Sequence, residues 1–179
     1  MKQTYSILII LLLGGCTSTR SLSKKFSEKP VKINHQLPKS YYSNKSANKG
    51  HLSLWQNLST YRIQKDTLPP IPEDASLCLK LVTNNSLVVT AYVGTTPTSS
   101  FDIPVKKRGK YLILKRKLHL IPIPILFFHM EEKKAILVPL ENEALGYSNY
   151  HSETLAILFF GASQTSKSTY EYQAIQQVP

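Results

Sequence analysis

Ala75-Ser76-Leu77-Cys78-Leu79-Lys80-Leu81-Val82-Thr83-Asn84-Asn85-Ser86-Leu87-Val88-Val89-Thr90-Ala91-Tyr92-Val93 is the run that decides the fold class. Leu77, Leu79 and Leu81 recur at every second position, as do Leu87, Val89, Ala91 and Val93. A period of two puts each set on one face of a strand. Between the two sets, Asn84-Asn85 predicts a tight turn, because asparagine tolerates positive φ. The run therefore predicts an antiparallel hairpin.

Toward the C-terminus the same grammar repeats. Gly94-Thr95-Thr96-Pro97 ends the hairpin, and Phe101, Ile103 and Val105 predict a third strand. A basic turn over residues 106–110 centres on Gly109, and residues 111–121 predict a fourth strand. In Ile121-Pro122-Ile123-Pro124-Ile125, two prolines at alternate positions remove ladder donors on one side, so this segment must be a sheet edge, a barrel corner or a bend. Strands are expected over 126–130, 135–140, 144–150 and 154–160, with charged turns at Glu131-Glu132-Lys133-Lys134 and Glu141-Asn142-Glu143. Upstream, Ser53 and Gln56 form a capping-box pattern for a short helix over 54–59. In that helix Trp55, the only tryptophan, is expected to plug the end of a core. Residues 61–65 alternate as a strand would, and Leu68-Pro69-Pro70-Ile71-Pro72 is a stiff connection.

Many short strands and no long helical period predict an all-β domain over residues 51–161, an antiparallel meander closing into a small barrel or packing as a sandwich. Residues 16–50 are rich in Ser, Lys and Asn with scattered apolar residues, and are expected to form a flexible basic tether. Residues 162–179 are expected to be a polar tail holding at most one weak strand over 170–175.

The N-terminus gives an address. Lys2 is followed by an uninterrupted apolar run from Ile7 to Leu13, and Leu13-Gly14-Gly15-Cys16 closes it. That layout is a cleavable export signal over residues 1–15. As a helix the run is far shorter than the roughly 20 residues that a bilayer core requires. The ending resembles the lipobox of bacterial lipoproteins, whose β-rich modules follow a lipidated cysteine. The resemblance implies that Cys16 carries acyl chains and anchors the chain to a membrane. Thr17 follows it where an Asp would imply inner-membrane retention in some Gram-negative bacteria, so the outer membrane is favoured.

Among 179 residues there are 22 Lys and Arg against 11 Asp and Glu, a formal net charge of +11. Seven of the cations fall within residues 106–117, a span without an acid. Lys106, Lys107, Arg108 and Lys110, with Tyr111, Lys115 and Lys117, form a candidate patch for anionic lipid headgroups or envelope polyanions. Export makes nucleic acid the least favoured polyanion. Of two cysteines, Cys16 is claimed by lipid, so Cys78 has no partner for an internal disulfide and is expected to be a buried, inert thiol.

No HExxH, CxxC, GxSxG or phosphate-binding glycine motif occurs, and His35, His51, His119, His129 and His151 show no metal-ligand spacing. No cofactor is implied. The expected function is a lipid-anchored envelope protein acting without catalysis, by binding or by docking on another envelope protein. The alternative is a periplasmic hydrolase with a scattered site, which would need a cleft joining His119 or His129 to an acid such as Glu153 or Asp102.

Overall fold

The computed structural model describes residues 19–47, 52–64, 66–114, 117–123, 127–157 and 160–176. Among them the chain is an antiparallel all-β meander of nine strands with two short α-helices and one turn of 3-10 helix over Ser23–Lys25. Helix α1 is Thr19–Leu22 and α2 is Leu54–Ser59; the strands are β1 (Tyr41–Ser43), β2 (Ser76–Thr83), β3 (Ser86–Val93), β4 (Thr96–Arg108), β5 (Tyr111–Leu114), β6 (Lys117–Ile123), β7 (Phe127–Pro139), β8 (Leu145–Ile157) and β9 (Phe160–Tyr172). The ladder runs β1-β2-β3-β4-β5-β7-β8-β9, and β6 pairs β7 in line with β5. Its two ends meet at a seam narrower than a full ladder, where Tyr42 bridges Ala174 while Ser43 N donates to Gln173 O and Ile175 N to Tyr41 O.

The β2–β3 hairpin forms where period two places it, with Leu77, Leu79, Leu81, Leu87, Val89 and Ala91 buried. Val93, at the end of β3, is exposed. The turn differs from expectation, since neither asparagine adopts positive φ. The register slips between Leu81 and Thr83, and the Thr83 hydroxyl accepts from Asn85 N, so a bulge and a local side-chain bond do what positive φ would have done. At the two turns that follow, Gly94 between β3 and β4 and Gly109 between β4 and β5 do take positive φ.

Helix α2 matches its sequence signal. The Ser53 hydroxyl accepts from Gln56 N and the Gln56 side chain accepts from Ser53 N, closing the capping box. Trp55 is buried and meets Phe101 edge to face at 4.6 Å between centroids. Residues 61–64 are not a strand: Tyr61 N and Arg62 N donate back to Leu58 O and Ser59 O, so the helix end unwinds into a turn that overrides the alternation.

The expected tether over residues 16–50 is corrected for its described part. Leu22, Ile33, Leu37 and Tyr42 are buried, β1 completes the sheet beside β2, and Val31 N and Ile33 N donate to Pro139 O and Gly109 O. Its apolar residues follow no period because each fills a separate position. Leu22 joins Ile136, Val138, Leu140, Ala144 and Tyr150 in a second cluster on the outer side of the sheet, so the C-terminal part of β7 is buried on both faces. At Gly146 the Phe26 ring lies where a Cβ would stand, 2.5 Å from its Cε1, and only glycine admits that approach.

Two further corrections concern the long strands. Glu131-Glu132-Lys133-Lys134 is no turn but the middle of β7, and β8 likewise runs unbroken through Ser152 and Glu153. The expected polar tail is β9, paired with β8 from Leu145↔Tyr172 to Ile157↔Phe160, with Tyr170 and Tyr172 buried. Hydroxyl pairs across this ladder, Ser148–Thr169 and Thr154–Ser163, give its polar residues partners. Of the three alternatives for the proline-bearing segment, its described part is a sheet edge, since Pro122 lies in β6, which pairs β7 alone among the described strands; Pro124 lies outside the described residues.

Candidate functional site

The β4–β5 hairpin positions the basic turn. Lys106 and Arg108 lie on the exposed side of β4, Lys107 is half-buried, and Gly109 and Lys110 form the exposed tip. None of the four cations forms an ion pair with another described residue. The sequence reading missed their neighbours. Ile33 N donates to Gly109 O, which brings the exposed Lys32 beside the turn, and the Ser23 hydroxyl lies 3.2 Å from the Tyr111 hydroxyl, which brings Lys24 and Lys25.

Two members of the expected patch leave it, and one falls outside the described residues. Tyr111 is a half-buried prop for the N-terminal segment, packed against the Leu22 cluster, and is no free aromatic contact. Lys117 pairs in register with Lys133, well along the ladder from the turn, because β5 and β6 run straight on beside β7. Lys115 and the proposed lipidation residue Cys16 lie outside the described residues.

Where β6 to β9 extend beyond the core, a second group of charges forms. His129 Nε2 lies 2.9 Å from Glu153 Oε1, and His151 Nε2 lies 3.0 Å from Glu131 Oε1, two diagonals crossing one face of the β7–β8 ladder. Lys133 Nζ closes on the same Glu131 oxygen at 2.6 Å. The Lys133 hydrogen bond, reinforced by the charges of Lys133 and His151, holds the Glu131 carboxyl below its ordinary value despite partial desolvation. A carboxylate with a lowered folded pKa stabilises above its unfolded value, and the contribution is lost as pH falls through the folded one. Glu131→Gln should therefore cost a few tenths of a kcal/mol at neutral pH, the scale of a solvated ion pair. The deficit relative to the parent should vanish at acid pH, which paired melts would read.

The histidine and acid required by a hydrolase do meet at His129 and Glu153, but on a strand face with Glu153 more than half exposed. Asp102 lies elsewhere, on β4, where its carbonyl accepts from Ile63 N. A hollow of about 300 Å³ opens nearby, lined by Asn57, Tyr61, Lys133, Tyr147, Asn149 and His151 among others, and neither His129 nor Glu153 lines it. Burial pushes the Tyr61 and Tyr147 phenols up, so both stay protonated and neither is a base at neutral pH. Among the described residues no group of three side chains could hold a metal ion.

Cys78 is half-buried, not fully buried as expected, because it lies on the outer face of β2 opposite Tyr41. Burial raises its pKa, partly offset by the Tyr41 hydrogen bond, and favours the unreactive thiol. No described helix is long and apolar enough to cross a membrane, which says nothing of strands. Protein-family models, curated proteins and solved structures give no match to this chain.

Proposed function

We propose that this chain is a lipid-anchored protein of the bacterial cell envelope, held by acyl chains on Cys16, that works by binding or structural contact without catalysis. Leu13-Gly14-Gly15-Cys16 carries the anchor, and the outer membrane is the favoured location because Thr17 follows the cysteine. The N-terminal mass of the mature chain tests it: an acylated Cys16 is expected, and a retained Met1 would overturn the reading, as would a Cys16→Ser chain that fractionates like the parent.

The basic turn is the proposed contact for anionic headgroups or other envelope polyanions. Its support is the cluster of exposed cations at Lys106, Arg108 and Lys110, with Lys24, Lys25 and Lys32 brought beside them. Each cation near an anionic surface contributes about 1 kcal/mol. Changing Lys106, Lys107 and Arg108 together to Ser should then weaken low-salt binding of the Cys16→Ser chain to anionic vesicles by one to two orders of magnitude. Unchanged binding would remove the turn from the interface.

The His129–Glu153 pair is the one observation favouring a hydrolase. Any hydrolytic activity abolished by His129→Ala in a chain of unaltered melting temperature would establish that reading instead.

A further inference from the structure

Strands β6 to β9 continue beyond the core as a four-stranded arm whose chemistry changes along its length. Ladder registers align its rows across the strands. Nearest the core, Lys117, Lys133, His151 and Ser166 share a row, followed by Leu118, Glu132, Ser152 and Thr165, and then by His119, Glu131, Glu153 and Gln164. The final three rows are Ile121–His129–Leu155–Ala162, Pro122–Phe128–Ala156–Gly161 and Ile123–Phe127–Ile157–Phe160, in which His129 is the single polar residue. The residues that join these strand ends in sequence, Pro124-Ile125-Leu126 and Leu158-Phe159, are apolar as well.

Successive rows alternate between the two faces of a sheet. The end of the arm is therefore apolar on both faces, whereas an antiparallel sheet beside water keeps one face polar. Neither buried cluster includes a described residue of β7 before Ala135 or of β8 after Tyr150, and Leu155 is 39% exposed. A protein partner seated on one face would leave the other in water. A fluid hydrocarbon surrounds both.

We propose that the apolar end of the β6–β9 arm enters the outer layer of a lipid bilayer. The inference rests on the lipid-anchored reading for its choice of a bilayer as occupant. Four rows, counting Leu120–Met130–Thr154–Ser163, span about 10–13 Å at 3.4 Å each, well short of a hydrocarbon core of roughly 30 Å, so the arm dips into one leaflet and does not cross. Lys117 and Lys133 lie in the row where headgroups would begin, with Lys134 and Lys167 in register one step behind. The basic turn stands beyond Leu112↔Leu137, at least four rows or roughly 14 Å farther from the tip, so its contact with headgroups and the insertion of the arm are alternative orientations, read separately at low and at high salt. Of the acids between, Glu131 and Glu153 are already paired within the arm, and Glu132 also has an interaction partner. Helix α1 packs on β8, and Cys16 precedes it by only three residues, at most about 11 Å of chain. Acyl chains on Cys16 would therefore enter the membrane beside the arm.

The test uses the Cys16→Ser full chain, so that no acyl group contributes, with vesicles of phosphatidylethanolamine and a minor share of phosphatidylglycerol. At ~0.5 M salt, headgroup attraction is largely screened. With Phe160→Trp added, tryptophan emission should shift to the blue and be quenched by lipids brominated along the acyl chain, beyond the small response of Trp55 alone. The pair Leu155→Asp and Phe160→Asp should lower salt-resistant vesicle binding at least ~10-fold, with an unchanged circular dichroism spectrum. Absence of quenching overturns the proposal, and so does an aspartate pair that dissolves a self-associated form without changing vesicle binding, since the occupant is then a second copy. The anchor reading fails separately, on an unacylated Cys16, which leaves the quenching result to stand by itself.

Discussion

A chain lacking residues 19–47 is expected not to fold. Leu22, Ile33, Leu37 and Tyr42 are each at most 5% exposed, and burying such a side chain contributes about 1.5–3 kcal/mol. Together they account for about 6–12 kcal/mol, against the 5–15 kcal/mol that separates a typical domain from its unfolded state. The loss extends beyond burial. Without β1, Leu79 N loses Ser40 O as acceptor, β2 becomes an open edge, and the seam with residues 173–175 has no second side. Expression of the truncated chain should yield insoluble protein, or material without a cooperative melt. Within the full chain, Tyr42→Ala should cost about 3–5 kcal/mol, the scale of truncating a large buried aromatic. A truncated chain that melts like the parent would mean that the segment merely leans on the domain.

That segment shows where sequence reading stops. The β2–β3 hairpin and helix α2 were legible because their signals are local: a period of two within eight residues, and a serine three positions ahead of a glutamine. Leu22, Ile33, Leu37 and Tyr42 obey no period, because their partners are set by tertiary contact with β2, β7 and β8. The middle of β7 misled for a related reason. Glu131-Glu132-Lys133-Lys134 reads as a turn when its charges need water, but His151 is supplied by β8 and the four residues stay in the ladder.

The candidate site was partly legible in the same sense. Gly109 fixed the turn, so Lys106, Lys107, Arg108 and Lys110 gather as the sequence implied. Lys117 does not, because β5 and β6 pair successively along β7, from Leu112↔Leu137 to Lys117↔Lys133, and those four positions of β7 cover about 14 Å. Lys24, Lys25 and Lys32 had been assigned to a solvated tether, so nothing in the sequence tied them to the turn. The pairing of His129 with Glu153 could be named only as one among several combinations. The apolar rows of the arm lie in three separate stretches, and only the register of β6 to β9 puts them at one end.

Asn44→Leu should destabilise the protein by about 1.5–4.5 kcal/mol. Asn44 is fully buried, with Nδ2 donating to Pro72 O at 2.8 Å and Oδ1 accepting from Trp55 N at 2.9 Å. Its backbone carbonyl accepts from Leu54 N at 2.9 Å. The first amides of a helix have no partner within it. In α2 the first two are taken by Asn44, the third by the Ser53 hydroxyl and the fourth by Ser53 O. Leucine has a similar volume, so little cavity forms, but Trp55 N would be left buried without a partner, at about 1–3 kcal/mol, and the bond to Pro72 O, worth about 0.5–1.5 kcal/mol, would be lost although that carbonyl keeps Ala75 N. The loss would be felt at Trp55 itself, which α2 holds against Phe101 at the mouth of the core. A urea titration read by tryptophan emission should show a lower midpoint with an unchanged slope. The neighbouring Lys45→Ser, whose ammonium is largely exposed and 3.9 Å from Glu73, should stay within about 0.5 kcal/mol of the parent. Equal, small effects at both positions would show that β1 and α2 are held together by something other than this side chain.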